Sequence, residues 1–233
     1  MDQKTTAKLL TLVKRNYQEI AADFDATRRK ELWPEISRQA AAVKNNSDIL
    51  DAGCGNGRLL EALSDKRINY LGFDNSSALI ELAKCNYPGR EFVAADILSL
   101  NASLPDRKFD YIFCLAVLPH IPSQTLREEA LRQLKDHLKP DGRLIISAWN
   151  LWGNKKYRPL IYKSYWHKLW GKSDLDFKDL IFPWKNAQGQ EVSQRYYHAF
   201  TSGELKRLGQ SVGLQIIEQK KDFNNYWLIL QRK

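Results

Sequence analysis

The chain has 233 residues, of which 43% are hydrophobic, and this length fits a single domain with a full core. Its net charge of +9 is uneven, because residues 150–233 hold 15 basic and 7 acidic side chains whereas residues 46–149 hold 12 and 14. No apolar run approaches the roughly 20 residues of a membrane helix, and no apolar signal region follows the N-terminus, so we expect a cytoplasmic protein without a membrane association.

Composition also restricts the partners and cofactors that the chain could use. A positive charge concentrated in the last third suggests a polyanionic partner, with an ordinary basic surface as the alternative. The three cysteines, Cys54, Cys85 and Cys114, contain no C-x-x-C pair. We therefore expect them to be reduced and buried, and we expect no zinc site.

The first 45 residues are predicted to form two helices, residues 3–22 and 28–43, because apolar side chains recur every three or four positions. Thr27 would be a suitable N-cap for the second helix. Two interpretations of this segment remain open. Trp33 could simply pack the helices on the domain that follows, or the helices could roof an active site with Arg28 reaching a substrate anion.

A glycine-rich stretch follows at residues 48–57, where D-I-L-D-A-G-C-G-N-G joins an apolar strand to a helix. Glycines suit a tight turn that a ligand approaches closely, and the helix N-terminus offers free N–H groups to that ligand. Arg58 replaces the third glycine of a G-x-G-x-x-G dinucleotide fingerprint, and the G-K-[ST] of a P-loop is absent. By itself, the stretch could also be a glycine-rich turn in another kind of α/β domain.

Strands and helices then alternate as in a parallel α/β sheet. The predicted strands are residues 48–51, 70–74, 91–97, 109–117 and 143–149, with helices at 76–86 and 123–138 and a turn at 139–142. Asp74 ends the second strand, where a carboxylate would accept both ribose hydroxyls of a nucleotide. Asp96 ends the third strand. His120 follows the fourth strand at the edge where open α/β sheets place active sites.

Residues 150–195 interrupt this alternation and interleave tryptophans and tyrosines with lysines and arginines, without a simple period. Such a segment suits RNA phosphates and stacked bases, whereas the alternative is a lid packed by its own aromatic residues. A helix through Ser211, whose Thr201 and Glu204 have capping-box spacing, is then expected. Residues 214–218 and 226–230 would close the sheet as an antiparallel pair.

Residues 48–149 resemble the core of class I S-adenosylmethionine (SAM)-dependent methyltransferases, on the D-x-G-x-G-x-G motif, the two strand-end acids and L-K-P-D-G-R-L from Leu138. The resemblance implies an α/β fold with a Rossmann-like seven-stranded sheet, a final antiparallel strand and helices on both faces. The expected parts are an N-terminal helical cover (1–45), a SAM-binding core (46–149), a basic aromatic insertion after the fifth strand (150–195) and a C-terminal helix and strand pair (196–233). The resemblance implies SAM, with S-adenosylhomocysteine as product, bound by Asp51, Gly53, Gly55, Asn56, Gly57, Asp74, Asn75, Asp96, Ile97 and Leu115.

Three shorter matches resemble the tRNA wobble-uridine carboxymethyl methyltransferases, which esterify a carboxymethyl group on the wobble uridine. They are Thr27-Arg28 with Trp33-Pro34, Leu115-Ala116-Val117 with His120, and Arg195-Tyr196-Tyr197-His198 with Phe200. This resemblance implies the tRNA anticodon loop as the substrate and, in family members of eukaryotic type, a small zinc-binding activator protein. The family usually carries a second histidine beside the one after the fourth strand, where this chain has Pro119.

The expected chemistry is alignment of a nucleophile with a methyl group. A carboxylate with a pKa of about 4 is already ionised at neutral pH and needs no general base. Arg28 and Arg195 could hold it bidentately, while Tyr197 and His198 position the base or ribose. Two alternatives remain: a small-molecule O- or N-methyltransferase that uses His120 as base, and a non-catalytic RNA binder with this fold.

Overall fold

A central sheet organises the computed structural model, which describes residues 1–27 and 32–232. The strands are β1 Ser47–Ala52, β2 Ile68–Asp74, β3 Glu91–Ala94, β4 Phe109–Leu115, β5 Leu138–Trp149, β6 Asp179–Lys185, β7 Glu191–His198, β8 Leu214–Lys221 and β9 Asn225–Arg232. The helices are α1 Gln3–Glu19, α2 Ala21–Thr27, α3 Pro34–Ala41, α4 Leu59–Ala62, α5 Ser77–Asn86, α6 Leu100–Ser103, α7 Gln124–Asp136, α8 Arg158–Leu169 and α9 Ser202–Ser211.

The main sheet has the order β3-β2-β1-β4-β5-β9-β8 and seven strands within the described ranges. Strands β1 to β5 run parallel to one another, whereas β9 runs antiparallel to both β5 and β8. The strand order reverses between β1 and β4, so the carboxyl ends of these strands open a crevice on one edge of the sheet. The predicted fold class is confirmed.

Helices cover both faces of this sheet because side chains alternate in direction along each strand. Ile49 and Phe113 point into one hydrophobic cluster, which is packed by α3, α4 and α5. Leu50 and Ile112 point into the other, which is packed by α7 and α9. These buried rows hold the carboxyl ends of the strands in fixed positions, and the candidate site is built on those ends.

The N-terminal cover, α1 to α3, differs from the sequence prediction at its second helix. Thr27 is the last residue of α2, where its Oγ1 donates to the Phe24 carbonyl oxygen at 3.0 Å. It is therefore not an N-cap. Helix α3 begins at Pro34, because proline has a fixed φ and no N–H to leave unsatisfied in the first turn.

Two side-chain contacts tie the cover to later parts of the chain. The Ser193 hydroxyl of β7 donates to the carboxylate of Glu19 at the end of α1. Lys220 of β8 donates to Glu35 of α3 at 2.6 Å, and Glu35 is almost fully buried. The cover is thus held both to the insertion and to the edge strand of the main sheet.

Strand β5 starts earlier than predicted, because residues 139–142 are extended rather than a turn. Leu138 pairs with Phe109, and a register shift follows before Arg143 pairs with Tyr111. Lys139 within this stretch donates to Asp48 at 2.7 Å and to Asp110 at 2.9 Å. Pairing with β4 and these two carboxylates therefore extend a segment whose Pro and Gly predicted a turn.

The insertion folds as a short 3-10 turn, α8 and an antiparallel hairpin of β6 with β7. Its small core includes Leu151, Ile161 and Leu180, with Trp152 and Tyr165 packed against them. Part of its aromatic content is thus internal packing. Strand β7 continues to His198, so it crosses the boundary that was expected between residues 195 and 196. The capping box of α9 is present as predicted.

The cysteine prediction is wrong for one residue. Cys54 and Cys114 are buried, but Cys85 lies on the solvent side of α5, opposite its buried residues Leu79 and Ile80. The residues that the structure describes hold no group of three or more His, Cys, Asp or Glu side chains placed to bind a metal ion. Among those same residues, no helix combines the length and the apolar character needed to span a membrane.

Candidate active site

One cavity lies at the carboxyl ends of the parallel strands, under the N-terminal cover. Asp51, Asp74 and Leu115 line it from β1, β2 and β4, and Tyr17 and Phe24 line it from α1 and α2. The predicted site residues that line it are Asp51, Gly53, Gly55, Asn56, Asp74, Asn75, Asp96, Ile97, Leu115, His120 and Arg195. The fold therefore gathers residues from the ends of β1 to β4 and from β7 around one space.

The glycine loop between β1 and α4 turns sharply into this cavity. Gly53, Gly55 and Gly57 have φ values of +74°, +55° and +82°, a region that favours glycine. A Cβ on Gly53 would come within 2.3 Å of Val117 Cγ2, so this glycine also allows the loop after β4 to approach. Gly57 is outside the lining residues, where a Cβ would meet Tyr87 at 2.8 Å.

Asp74 at the end of β2 is held in one orientation by backbone groups. Its Oδ2 accepts from the Gly55 N–H at 3.0 Å, and its Oδ1 accepts from the Ser76 N–H at 2.9 Å. Burial raises the pKa of Asp74, and these two hydrogen bonds oppose that rise. Because each carboxylate oxygen has a second lone pair, the oriented group can still accept two hydroxyls, as a ribose requires.

Asp96 and Ile97 extend the same wall beyond β3. The Oδ1 of Asp96 accepts from the Leu98 N–H at 2.9 Å and so caps a 3-10 turn. Its other oxygen can accept from an amino group in the cavity. Ile97 is buried beside it and offers an apolar surface to a flat ring. Asn56, on the opposite side, donates to Asp25 at 2.9 Å and joins the glycine loop to α2.

Asp51 is the most deeply buried acid of the cavity, with 3% of its surface exposed. Its pKa is raised to about 7, mainly by burial and also by the nearby Asp74, and against the lowering effect of the Tyr70 hydroxyl, which donates to Asp51 at 2.8 Å. A carboxylate in this state is stabilised by a positive charge placed next to it. The ammonium and sulfonium groups of SAM have that charge, so the donor set of this cavity fits the implied cofactor.

His120 is held between two partners on opposite ring nitrogens. Its Nδ1 lies 3.0 Å from the Tyr196 carbonyl oxygen, which can only accept, so Nδ1 carries the proton. Its Nε2 is therefore the acceptor for the Tyr17 hydroxyl at 2.8 Å. The lone pair that a general base would use is thus engaged by a side chain of the cover.

Arg195 carries a positive charge into the wall of the cavity. Only 6% of its surface is exposed, and its guanidinium carbon lies 5.8 Å from the centroid of the Trp149 ring. No carboxylate among the described residues forms a salt bridge with it, and its Nε has no hydrogen-bond partner among them. Buried charges normally have a partner of opposite charge. An anionic group of a bound ligand could be that partner for Arg195.

Tyr197 and His198 follow Arg195 on β7 but lie outside the lining residues. The Tyr197 hydroxyl accepts from the Trp149 N–H at 3.1 Å, and its ring contacts His120 with centroids 4.9 Å apart. His198 Nδ1 lies 2.7 Å from Asp179, and its Nε2 lies 2.9 Å from Glu204. Both residues support neighbours of the cavity instead of facing it.

One predicted site residue, Arg28, lies outside the described residues. Conversely, the cavity includes Tyr17 and Trp149, which the sequence interpretation did not assign to it. Trp149 ends β5, and its position at a strand end was a usable signal. Tyr17 is 103 positions from its partner His120, and its helical spacing predicts only a packing role.

Comparison with known proteins agrees with this geometry. A family model described as a methyltransferase domain matches residues 24–219. A tRNA (carboxymethyluridine(34)-5-O)-methyltransferase of Schizosaccharomyces pombe is 26% identical over 93% of this chain and 94% of that protein. A Saccharomyces cerevisiae protein of the same name is 33% identical over 58% of this chain but only 47% of its own length. The crystal structure of a SAM-dependent methyltransferase from Methanosarcina mazei has a TM-score of 0.69 at 23% identity and covers 87% of this chain and 99% of its own.

Proposed function

The chain belongs to the methyltransferase-domain family as a SAM-dependent methyltransferase, and from this premise we propose that it esterifies a carboxymethyl group on the wobble uridine of tRNA. The observation that carries this proposal is Arg195, a buried guanidinium in the cavity wall without a described anionic partner. A substrate carboxylate would supply the missing charge.

SAM supplies a methyl group on a positively charged sulfur, and S-adenosylhomocysteine is the product. We assign its ribose hydroxyls to Asp74 and its adenine to Asp96 and Ile97, with Asn75 and Leu115 completing the walls. Asp51 would face its charged end, and the glycine loop would pass beside it. These roles follow from the lone pairs, burial and charges of the cavity residues.

The acceptor carboxylate needs alignment more than activation. With a pKa of about 4 it is ionised at neutral pH, and a bidentate guanidinium fixes the direction of its oxygens. Arg195 would hold it, with the Trp149 ring beside the guanidinium at 5.8 Å. Arg28 is proposed as a second cationic contact on the sequence resemblance alone. Tyr197 and His198 would act through their neighbours, as positioning residues.

A small-molecule hydroxyl acceptor is the competing function, and it would need a general base. His120 is the candidate, but the Tyr17 hydroxyl donates to its Nε2 at 2.8 Å. In this geometry His120 joins α1 to the turn after β4, and a hydroxyl substrate would have to displace Tyr17 before His120 could take its proton. The arrangement therefore favours an acceptor that is already ionised.

Transfer RNA is the proposed partner, and the proposed location is the cytoplasm. Support comes from the names of the relatives and from the basic last third of the chain. The resemblance also implies a small zinc-binding activator protein in family members of eukaryotic type. Turnover by the purified chain alone would show that this enzyme needs no such partner.

Mass spectrometry of tRNA nucleosides tests the proposal. We expect incubation with isotopically labelled SAM to convert carboxymethyluridine to its labelled methyl ester, and we expect the Asp74→Ala variant, with its ribose contact removed, to lose that conversion. Substrate tRNA would be taken from cells that lack the endogenous enzyme, so that the free acid is present. Absence of label from every tRNA nucleoside, in an enzyme that binds SAM, would contradict the proposal.

A further inference from the structure

The outer face of α8 and the residue that follows it expose three large aromatic side chains. Tyr162, Trp166 and Trp170 are 56%, 61% and 70% exposed and lie four residues apart, so they form one row on the surface. We name these three residues the α8 ridge. Exposed tryptophans in a row are unusual on a protein surface without a partner, and they mark candidate interaction sites.

The fold does not need the two tryptophans of the α8 ridge for its own packing. The opposite face of α8 buries Ile161 in the small core of the insertion, and Tyr165 stacks near Phe177 with ring centroids 5.3 Å apart. Trp166 and Trp170 are outside that core. Removing these two rings should therefore leave the insertion folded.

The charge around the ridge is of one sign. Residues 150–173 contain six basic side chains and no acidic one: Lys155, Lys156, Arg158, Lys163, Lys168 and Lys172. Among the described residues none of these six forms a salt bridge, whereas Lys139, Lys178 and Lys220 elsewhere each pair with a carboxylate. The segment that carries the ridge is therefore basic up to Asp174, and a group of cations without salt bridges attracts a polyanion.

Basic side chains form a second row directly beside the ridge. Lys163 follows Tyr162, and His167 follows Trp166. A bilayer-bound helix needs a broad apolar face, whereas the exposed apolar side chains here, Tyr162, Trp166, Leu169 and Trp170, form one narrow strip beside Lys163. Single-stranded RNA presents its bases on one side and its phosphates on the other, which matches a row of rings beside a row of cations. We propose that the α8 ridge stacks unpaired bases of the substrate RNA while the neighbouring lysines contact its phosphates.

The position of the ridge suits nucleotides that flank the modified one, and this part of the proposal rests on the proposed RNA acceptor. Tyr162 lies 6.2 Å from the Trp152 ring, measured between centroids. Trp152 and Trp149 pack against the same small core of the insertion, and Trp149 lines the cavity. The ridge and the cavity are therefore two sides of one aromatic cluster, and an RNA strand leaving the cavity would pass over α8.

Replacing both exposed tryptophans tests the proposal. In the Trp166→Ala/Trp170→Ala variant we expect the Kd for a fluorescently labelled, unpaired RNA oligonucleotide to rise roughly tenfold per ring lost. The KM for tRNA should rise as well, while SAM affinity and the melting temperature stay unchanged. Ile217→Ala is the matched control, because Ile217 is a 45% exposed apolar side chain on β8, away from the ridge.

The outcomes separate this proposal from the proposed function. If the variant binds the oligonucleotide and methylates tRNA as well as the unaltered enzyme does, the α8 ridge does not bind RNA. The proposed methyl transfer to tRNA would not be affected by that result. If the unaltered enzyme methylates no tRNA but binds the oligonucleotide through the two tryptophans, the ridge is supported and the substrate assignment fails. Tryptophan-dependent binding to vesicles of anionic phospholipid, without binding to RNA, would overturn the ridge in favour of a membrane surface.

Discussion

At the scale of single residues, Arg195 combines burial with a charge that no described carboxylate neutralises. We expect Arg195→Ala to reduce methyl transfer to tRNA by about two orders of magnitude or more, because the acceptor carboxylate loses its bidentate contact. SAM affinity and the melting temperature should stay near those of the unaltered enzyme, as measured by calorimetry. Arg195→Lys should restore little, since an ammonium group cannot reproduce the fork of a guanidinium.

The same variant can also show that Arg195 does not hold the substrate carboxylate. If Arg195 only supports the fold, the alanine variant will melt earlier, and its turnover will fall no further than the folded fraction does. A stable, SAM-binding variant with near-normal turnover would exclude Arg195 as the carboxylate ligand.

Asp51 makes SAM binding dependent on pH. Its pKa in the ligand-free site is raised to about 7, and a cationic ligand beside it would lower that pKa, so the ionised form binds SAM better. We expect SAM affinity to be constant above about pH 7.5 and to fall by up to about tenfold per pH unit below 7. Calorimetric titration across this range checks the slope.

The matched variant is Asp51→Asn, which keeps the shape but does not titrate. It should bind SAM weakly at every pH and show a flat profile. A sloping profile in Asp51→Asn would assign the pH dependence to a different group.

Site residues that lie at the end of a strand could be predicted from the sequence, because the strand itself fixes their position. The acids Asp51, Asp74 and Asp96 follow apolar runs, and parallel strands bring their carboxyl ends together. The pairing of Tyr17 with His120 could not, because 103 residues separate them and only tertiary packing decides which nitrogen of the ring is engaged. The contacts of the two ring nitrogens of His198 with Asp179 and Glu204 also could not be predicted from the sequence.

At the scale of elements, the β6–β7 hairpin is fastened to α9 by Glu204. His198 at the end of β7 and Lys178 just before β6 both bond to its carboxylate, at 2.9 Å each. Burial opposes the ionised form, but these two partners hold the pKa of Glu204 at about 2. The free energy of unfolding therefore includes a contribution that is present above about pH 4.5 and is lost as the pH falls toward 2.

We expect Glu204→Gln to lower the free energy of unfolding at pH 7 by roughly 1–3 kcal/mol, because Lys178 loses its anion and His198 keeps only its contact with Asp179. The difference between the variant and the unaltered protein should shrink as the pH falls below about 4.5. Denaturant unfolding at several pH values measures both effects. Glu191→Gln is the control, since its ion pair with Lys185 is exposed and 3.6 Å long and should contribute little.

The elements that sequence patterns predicted well are those with a clear period and a local cap, such as α9 with its capping box. The insertion had no period to interpret, so α8 and the β6–β7 hairpin were not predicted. Residues 139–142 were predicted as a turn because Pro and Gly occur there, but pairing with β4 and two ion pairs of Lys139 override that local preference.

At the scale of the whole molecule, the charge distribution predicts how the enzyme responds to salt. The unpaired cations of residues 150–173 would contact RNA phosphates and release counterions, so tRNA affinity should fall steeply as salt is raised. We expect Lys163→Ala/Lys172→Ala to reduce the slope of log Kd against log salt by roughly two. Binding assays in a salt series measure the slope.

Lys84→Ala is the control for this series, because Lys84 lies on α5 and already pairs with Glu81 at 2.8 Å. Its slope should match that of the unaltered enzyme. If tRNA binding shows no salt dependence at all, the basic last third does not contact the RNA backbone.

The overall architecture was predicted from the alternation of strands and helices together with the resemblance to class I methyltransferases, because right-handed crossovers alone leave several strand orders open. Strand β9 between β5 and β8 was expected only as part of an antiparallel pair, and its central position depends on long-range pairing. The arrangement of the cover over the cavity also lies beyond local patterns, since it is decided by contacts with distant residues.

The ties of the cover have a consequence for how the protein is made. Helices α1 and α3 are synthesised early, but the serine that bonds Glu19 and the lysine that bonds Glu35 belong to β7 and β8. Since a ribosome adds roughly 5–20 residues per second, the two helices wait for about ten seconds or more before their anchors emerge. During that interval α1 and α3 can pack only on the early elements that they contact, such as α5 through Gln18 and Ser76, and the attachment of the roof is completed when β7 and β8 emerge.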